Sequence, residues 1–158
     1  MSQIGFVGLG KMGGNMVHRI RRDSDHEVVA FDFDKRAVKQ AVKHGASGAD
    51  SLKALVKQLR APRMVWIMVP AGDPTQQTVD KLAKLLEPGD TIVDGGNSKW
   101  TDDKRRAKEL KSHGIEYVDV RELPREGTPA PAQLLAFPYF AWSNRGDGGM
   151  RVWLPKSE

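Results

Sequence analysis

Three glycines near the amino terminus, Gly8, Gly10 and Gly13, have the spacing G-x-G-x-x-G. They follow a short apolar run and precede a stretch with apolar residues four apart, so the motif joins a predicted strand to a predicted helix. In that context the first glycine allows a tight turn, the second leaves room for a pyrophosphate, and the third lets helix and strand pack closely. The alternative is a glycine-rich turn with no ligand. We predict dinucleotide binding by Gly8, Leu9, Gly10, Lys11, Met12 and Gly13.

An acidic residue, Asp32, ends the second predicted strand, about 20 residues beyond the glycine motif. A carboxylate there can accept a hydrogen bond from the adenosine ribose of NAD, and it repels the 2′-phosphate of NADP. Phe33 and Asp34 follow, where enzymes that select NADP usually have an arginine. Lys35 and Arg36 lie close by, and their positive charges would attract a 2′-phosphate. We expect Asp32, Phe33 and Asp34 to bind the cofactor, with NAD preferred and NADP as the alternative.

A second group of small residues, "DGGNS" at 94–98, follows the apolar run 91–93. Two glycines after a strand often form a plain turn, and Asn97 can cap the helix predicted to follow. The other interpretation is that this loop passes close to a ligand, because an amide can hydrogen-bond hydroxyl or carboxamide groups without adding charge. The motif alone leaves both interpretations open.

Strands and helices alternate along residues 3–120, and this alternation must position the two motifs. The predicted strands are 3–8, 26–32, 63–70, 89–96 and 115–120, and the predicted helices are 11–22, 34–45, 51–60, 73–86 and 101–114. Asp34, Ser51 and Thr101 are expected to cap three of the helices. The order predicts an α/β fold with a Rossmann-like, doubly wound, mostly parallel sheet, which binds ligands at the carboxyl ends of its strands.

Residues 121–158 differ in character from the rest. They contain five of the nine prolines and show no helix or strand period. We therefore expect a dinucleotide-binding domain at 1–120 and an irregular, Pro-rich tail at 121–158, either disordered or produced by a shifted reading frame. In support of the second hypothesis, the codons of Arg121 to Pro124, read one base earlier, can encode Gly-Thr-Ser.

The composition excludes several classes of function. The 158 residues include no cysteine, so disulfides, a thiol nucleophile and a Cys-based zinc site are excluded, and the four scattered histidines lack metal-ligand spacing. We expect no metal, no membrane contact and a cytoplasmic location. The net charge of +5 favours an anionic partner, either nucleic acid or a phosphorylated small molecule. Runs such as 19–22 and 104–106 are interpreted as solvated helix faces, so we expect no nucleic-acid partner.

With these motifs in hand, the chain resembles the cofactor-binding half of decarboxylating 6-phosphogluconate dehydrogenases of the shorter bacterial type, over residues 1–120. The stretches that carry the resemblance are "IGFVGLGKMGGNM" (4–16), "WIMVPAG" (66–72), "EPGDTIVDGGNS" (87–98) and "GIEYVDV" (114–120). The related 3-hydroxyisobutyrate dehydrogenases share a similar glycine motif but typically have Asp-x-Ser-Thr where this chain has Asp-Gly-Gly-Asn-Ser. The loop therefore favours the phosphogluconate family.

The resemblance implies roles for two loops. Val69, Pro70 and Ala71 would line the dinucleotide, although a plain turn is the alternative for this loop. Asn97 would bind both the nicotinamide side of the cofactor and a phosphorylated sugar-acid substrate. The implied reaction is oxidation of 6-phosphogluconate at C3 by NAD(P)+, followed by loss of CO2 to give ribulose 5-phosphate. A lysine base and a glutamate acid would serve it without a metal.

The resemblance fails after Val120. The family continues with a Gly-Thr-Ser-Gly-Gly substrate loop, then the catalytic lysine and asparagine, and then a helical domain with the catalytic glutamate and the dimer interface. This chain has Arg121-Glu122-Leu123-Pro124 instead, and neither Lys99 nor Lys104 aligns with the family's base. We therefore assign no catalytic residue, expect the chain alone to be inactive, and leave its oligomeric state open. The alternatives are a non-catalytic NAD-binding module or another member of the 3-hydroxyacid dehydrogenase superfamily.

Overall fold

The computed structural model describes residues 2–96, 100–119, 141–142 and 152–153. The strands are β1 (Gln3–Val7), β2 (Glu27–Phe31), β3 (Ser47–Gly48), β4 (Met64–Ile67), β5 (Thr91–Asp94), β6 (Glu116–Asp119), β7 (Ala141–Trp142) and β8 (Val152–Trp153). The helices are α1 (Lys11–Asp23), α2 (Lys35–Lys43), α3 (Leu52–Gln58), α4 (Asp73–Ala83) and α5 (Trp100–Ser112).

Six strands form one parallel sheet in the order β3-β2-β1-β4-β5-β6. The chain moves outward from β1 to β3 on one side and from β4 to β6 on the other, so the order of strands reverses between β1 and β4. A doubly wound sheet opens a crevice at the carboxyl ends of the strands at such a switch point. This architecture confirms the predicted Rossmann-like fold and adds β3, which the sequence analysis missed because two residues carry no periodicity.

The central strands β1, β2 and β4 are covered on both faces, which explains why they are mostly apolar. All four residues of β4 and all four of β5 are buried. One apolar cluster includes Leu55 and Leu82, and the other includes Phe6 and Val17, all four of them fully buried. Helix α1 belongs to the second cluster through Met16, Val17 and Ile20, and Gly13, one turn earlier on the same face, is also buried. This packing holds in place the ends of β1 and β5, where the glycine motif and the 94–98 motif begin.

Two of the three predicted helix caps are present. The Asp34 carboxylate accepts a hydrogen bond from the N–H of Arg36, and the Ser51 hydroxyl accepts one from the N–H of Ala54. The prediction for Thr101 is wrong, because α5 begins one residue earlier and Thr101 lies inside the helix. A residue with helical backbone angles cannot also be the half-helical residue that caps the end.

The tail contains one short element that the sequence did not predict. β7 and β8 pair antiparallel, with Ala141 opposite Trp153 and Trp142 opposite Val152. The other residues of the tail lie outside the described part of the chain, so the division into 1–120 and 121–158 stays a prediction. Within the part that the structure describes, every helix is too short or too polar to cross a membrane.

Candidate functional site

A cleft with a cavity of about 760 Å³ lies at the carboxyl ends of β1, β2, β4 and β5. This volume is in the range of small-molecule and cofactor sites. The cleft brings together most of the residues that the sequence predicted for cofactor binding. Those lining it are Gly8, Gly10, Lys11, Met12, Gly13, Asp32, Phe33, Val69, Pro70 and Ala71.

The glycine motif has the geometry that its three positions require. Gly8 has a φ of +94°, and a Cβ there would lie 2.4 Å from the carbonyl oxygen of Met68 on the neighbouring β4 segment. A Cβ on Gly13 would lie 2.0 Å from the carbonyl oxygen of Gly8, so helix and turn approach too closely for any side chain. Gly10 differs from both, because a Cβ there would meet no atom within 4 Å. The open side of Gly10 leaves space beside the start of α1.

The first turn of α1 is suited to bind an anion. Gly10 precedes the helix and has no side chain to cap it, and the helix begins with Lys11 and has no acid in its first turn. The leading N–H groups of a helix carry partial positive charge and have no partners within the helix. The start of α1 therefore combines free space, N–H groups without a side-chain cap, and a lysine. This combination is suited to bind the pyrophosphate of a dinucleotide.

Asp32 joins the glycine motif to the end of β2. Its carboxylate accepts a hydrogen bond from the N–H of Leu9 at 2.6 Å and another from the N–H of Asp34 at 2.8 Å. Each oxygen of an ionised carboxylate can accept more than one hydrogen bond, so Asp32 can also accept bonds from ribose hydroxyls. The residue therefore orders the loop as well as lining the cleft, and sequence reasoning predicted only its role toward the cofactor.

Two predicted cofactor residues, Leu9 and Asp34, do not line the cleft. Leu9 is buried in the core and acts through its backbone N–H. Asp34 caps α2, where the backbone hydrogen bond from Arg36 holds the pKa of its carboxyl below the ordinary value. Contact of these two residues with a cofactor stays a prediction.

Phe33 and helix α4 form the outer wall of the cleft. Phe33 is 78% exposed, its ring meets that of Phe31 edge-on at 5.3 Å, and the Lys81 ammonium lies 6.0 Å from its centroid. Asp73, Gln77 and Lys81 line the same wall from α4. Sequence reasoning missed these α4 residues, although their four-residue spacing on a helix that starts at the carboxyl edge of the sheet was a usable signal.

The Asp-Gly-Gly-Asn-Ser motif at 94–98 begins with a residue of a buried polar network. Asp94 is 2% exposed, and its carboxylate accepts hydrogen bonds from the N–H of Gly96 at 2.8 Å and the Tyr117 hydroxyl at 2.7 Å. The guanidinium of Arg106 lies 3.9 Å from the same carboxylate. Arg106 is 1% exposed, so its interpretation as part of a solvated helix face is wrong. Its charge is retained inside because Asp94 and the Gln76 amide oxygen satisfy it.

Gly95 and Gly96 line the cleft, and Gly95 has no room for a side chain. A Cβ there would lie 2.4 Å from Nε1 of Trp66 and 2.5 Å from the sulfur of Met68. Asn97 itself lies outside the described residues, so its predicted contacts with cofactor and substrate remain predictions. Among the residues that the structure describes, no three histidine or acidic side chains are grouped to hold a metal ion.

We expect Tyr117→Phe to lower the free energy of unfolding by about 1.5 kcal/mol, because it removes a hydrogen bond to a buried carboxylate. Urea denaturation measures the loss. The control is a double-mutant cycle with Asp94→Ala, which removes the acceptor, so the same tyrosine change should cost less than half as much in that background. Equal costs in the two backgrounds would show that the hydroxyl does not act through Asp94.

The fold and the cleft define a class of protein. A dinucleotide-binding domain has three features that are present here. The strand order of the parallel sheet reverses between β1 and β4, a glycine turn precedes α1, and an acid follows the end of β2. Comparison with known families then gives the particular one, because the model described as "NAD binding domain of 6-phosphogluconate dehydrogenase" matches residues 3–121. The chain belongs to this family.

Individual relatives agree with the assignment. The NAD(+)-dependent, decarboxylating 6-phosphogluconate dehydrogenase of Haloferax volcanii is 42% identical over 84% of this chain and 42% of its own length. The decarboxylating 6-phosphogluconate dehydrogenase of Homo sapiens is 36% identical over 74% of this chain and 25% of its own length. The chain thus spans less than half the length of these relatives.

Solved structures show the same fold. The Plasmodium falciparum 6-phosphogluconate dehydrogenase, solved apo, with NADP+ and with 6-phosphogluconate, matches with a TM-score of 0.66 and 27% identity, over 73% of this chain and 26% of that one. The Mycobacterium tuberculosis 3-hydroxyisobutyrate dehydrogenase matches with a TM-score of 0.68 and 26% identity, over 75% of this chain and 40% of that one.

Proposed function

We propose that this chain is the cofactor-binding part of a decarboxylating 6-phosphogluconate dehydrogenase that uses NAD in preference to NADP. The observation that carries the proposal is the Asp-Gly-Gly-Asn-Ser motif at 94–98, which starts at the end of β5 and whose glycines line the same cleft as the glycine turn. The Haloferax volcanii relative, named as NAD(+)-dependent and decarboxylating, supports the same reaction and cofactor.

Each wall of the cleft has a distinct task in this proposal. The glycine turn and the start of α1 hold the pyrophosphate, and Asp32 holds the adenosine ribose. Val69, Pro70 and Ala71 form the wall at the switch point between β1 and β4. A bound nicotinamide cofactor supplies the hydride acceptor. The protein residues orient it and exclude water from that side of the cleft.

The proposed substrate is a phosphorylated sugar acid, by analogy with the relatives named for 6-phosphogluconate. Gly95 and Gly96, which precede Asn97 in the chain, line the cofactor cleft and place no side chain in it. The Asn97 amide can then bond substrate hydroxyls and the cofactor carboxamide without placing a charge beside the hydride path. We assign no proton-transfer role to any residue of 1–120.

A second candidate is a dehydrogenase acting on a smaller 3-hydroxyacid, which the fold match to the Mycobacterium tuberculosis 3-hydroxyisobutyrate dehydrogenase favours. The two candidates differ at the loop after β5, where the amide of Asn97 replaces the hydroxyls of an Asp-x-Ser-Thr sequence. Competition binding with 6-phosphogluconate and 3-hydroxyisobutyrate, measured with NAD present, separates them. Binding of the second compound alone would overturn the proposal.

We expect NAD to bind more tightly than NADP, and Asp32→Asn to reduce the ratio of the two affinities about tenfold, or about 1.4 kcal/mol. The reason is that the substitution removes the negative charge that opposes a 2′-phosphate while keeping one acceptor oxygen for the ribose. Calorimetric titration with both cofactors measures the ratio.

The matched control for Asp32 is Asp34→Asn, which removes the same charge two residues away. Asparagine is as good a helix cap as aspartate, so α2 is preserved. Asp34 does not line the cleft, so its substitution should change the ratio much less. Wild-type preference for NADP would show that Lys35 and Arg36 dominate the local potential. Equal effects of the two substitutions would show that the preference does not depend on Asp32 in particular.

A further inference from the structure

Two neighbouring residues near the start of helix α4, Thr75 and Gln76, connect the helix to the two loops that follow β4 and β5. The Thr75 hydroxyl donates a hydrogen bond to the carbonyl oxygen of Pro70 at 2.9 Å, and Thr75 is fully buried. This bond holds the 69–71 loop against the helix. Gln76 reaches the loop after β5 through a series of polar contacts.

The side-chain amide of Gln76 is held in one orientation by the groups around it. Its nitrogen, Nε2, donates to the Asp80 carboxylate at 2.7 Å. Its oxygen, Oε1, accepts from Nη2 of Arg105 and from Nε of Arg106, each at 2.9 Å. A carboxylate can only accept and a guanidinium can only donate, so a flipped amide would lose all three bonds. The amide oxygen therefore faces the two arginines.

Arg106 transmits this restraint to the loop after β5. The side chain is buried, and its Nη1 lies 3.9 Å from Oδ2 of Asp94. The other oxygen of that carboxylate, Oδ1, accepts the N–H of Gly96 at 2.8 Å. A buried charge is costly to leave unsatisfied, so Arg106 stays where Gln76 and Asp94 both satisfy it. The position of Gly96 therefore depends on Gln76 through two intervening side chains.

The two loops connected to α4 lie side by side at the cleft. The N–H of Gly95 donates to the carbonyl oxygen of Ile67 at 3.0 Å, at the end of β4. A Cβ on Gly96 would lie 3.1 Å from the carbonyl oxygen of Val69. Because the backbones approach this closely, a shift of either loop changes the shape of the cleft between them.

This part of the cleft remains for the nicotinamide half of a dinucleotide. The strands follow one another across the cleft in the order β2-β1-β4-β5. The proposed function assigns the adenosine ribose to Asp32, after β2, and the pyrophosphate to the glycine turn, after β1. The other half of the cofactor then meets the ends of β4 and β5, where the two loops lie.

We propose that Gln76 is a positioning residue for the nicotinamide half of the cofactor. It does not line the cleft itself. It acts through the buried arginine–aspartate pair, which holds Gly96 at a fixed distance from the 69–71 loop. Efficient hydride transfer requires an oriented ring, and this spacing provides the orientation. The inference rests on the proposed function, because that function sets the direction in which the cofactor lies.

The experiment compares NAD with ADP-ribose, which lacks the nicotinamide, by calorimetric titration of the whole chain. The test variant is Gln76→Leu, which removes both polar atoms of the amide. The matched control is Gln58→Leu, the same change at an exposed position of α3 outside the cleft. The rescue variant is Gln76→Glu/Asp80→Asn, which exchanges the amide and the carboxylate and keeps an acceptor for the arginines.

We expect Gln76→Leu to weaken NAD binding at least fivefold and ADP-ribose binding less than twofold. The control and the rescue variant should both bind NAD within twofold of the wild type. Equal losses for the two ligands, no loss for either, or a loss that the rescue variant does not reverse would overturn the inference alone. A wild-type chain that binds neither ligand would overturn the proposed function as well.

A measurement on the wild type decides the matter if Gln76→Leu does not fold. The side-chain amide NMR signals of Gln76 and the backbone amide signal of Gly96 should shift with NAD and stay in place with ADP-ribose. Identical shifts with the two ligands, or no shift with NAD, would overturn the inference.

Discussion

A purified sample of these 158 residues is expected to bind NAD and to leave it unreduced in the presence of 6-phosphogluconate. The residues of 1–120 provide the cofactor cleft and Asn97, but no residue of that range aligns with the lysine base or the glutamate acid of the resembling family. Each proton-transfer group contributes a factor on the order of 10²–10⁴ in rate. Loss of both groups, together with loss of substrate orientation, should reduce turnover to background.

Two measurements on one sample test this expectation. Calorimetric titration with NAD establishes that the cleft is formed, and the absorbance of reduced nicotinamide then follows turnover. The full-length Haloferax volcanii relative serves as the positive control in the same assay. Steady turnover by the 158-residue sample that disappears in Asn97→Ala would contradict the expectation and would show that this chain supplies its own acid and base.

The second large effect is expected at the third glycine of the motif. Gly13→Ala should destabilise the domain by about 3 kcal/mol, because its Cβ would lie 2.0 Å from the carbonyl oxygen of Gly8. The helix cannot move away without breaking the packing of α1 against the sheet, where Met16, Val17 and Ile20 are buried. Thermal unfolding should show a midpoint about 6–12 °C lower, since 1 kcal/mol corresponds to about 2–4 °C at this size.

Gly10→Ala is the matched comparison, with the opposite pattern of effects. A methyl group there meets no protein atom within 4 Å and Gly10 has a negative φ, so stability should be unchanged or rise by up to about 1 kcal/mol. The methyl group occupies the space proposed for the pyrophosphate, so NAD affinity should fall at least tenfold. Wild-type stability in Gly13→Ala would show that the close approach is not required. Wild-type NAD affinity in Gly10→Ala would show that the phosphates lie elsewhere.

The residues of the glycine motif and Asp32 thus differ in how much they contribute to stability and how much to cofactor binding. Gly8 and Gly13 allow the chain to pass close to its own backbone, whereas Gly10 keeps space open beside the helix start. Asp32 combines the two tasks, because its carboxylate holds the turn through Leu9 while lining the cleft. This is why the cofactor test uses Asp32→Asn, which retains an acceptor, in place of a truncation to alanine.

The sequence alone determined the sheet class, the alternation of strands and helices, and most of the cofactor cleft. The reason is that these features depend on short-range patterns. Apolar runs of four or five residues give buried strands, four-residue spacing gives helices, and Gly8, Gly10 and Gly13 allow one local turn. The element boundaries were less certain by one to several residues, and the cap at Thr101 was misplaced, because the start of a helix depends on backbone angles that side-chain types only bias.

The tertiary structure decided which distant residues meet. Three features join segments that are separate in the chain. Helix α4 contributes Gln77 and Lys81 to the wall of the cleft. The N–H of Leu9 donates to Asp32, and Arg106 is buried against Asp94. A lysine or arginine on a helix is ordinarily solvated, and only the packing of α5 against the end of β5 placed Arg106 inside.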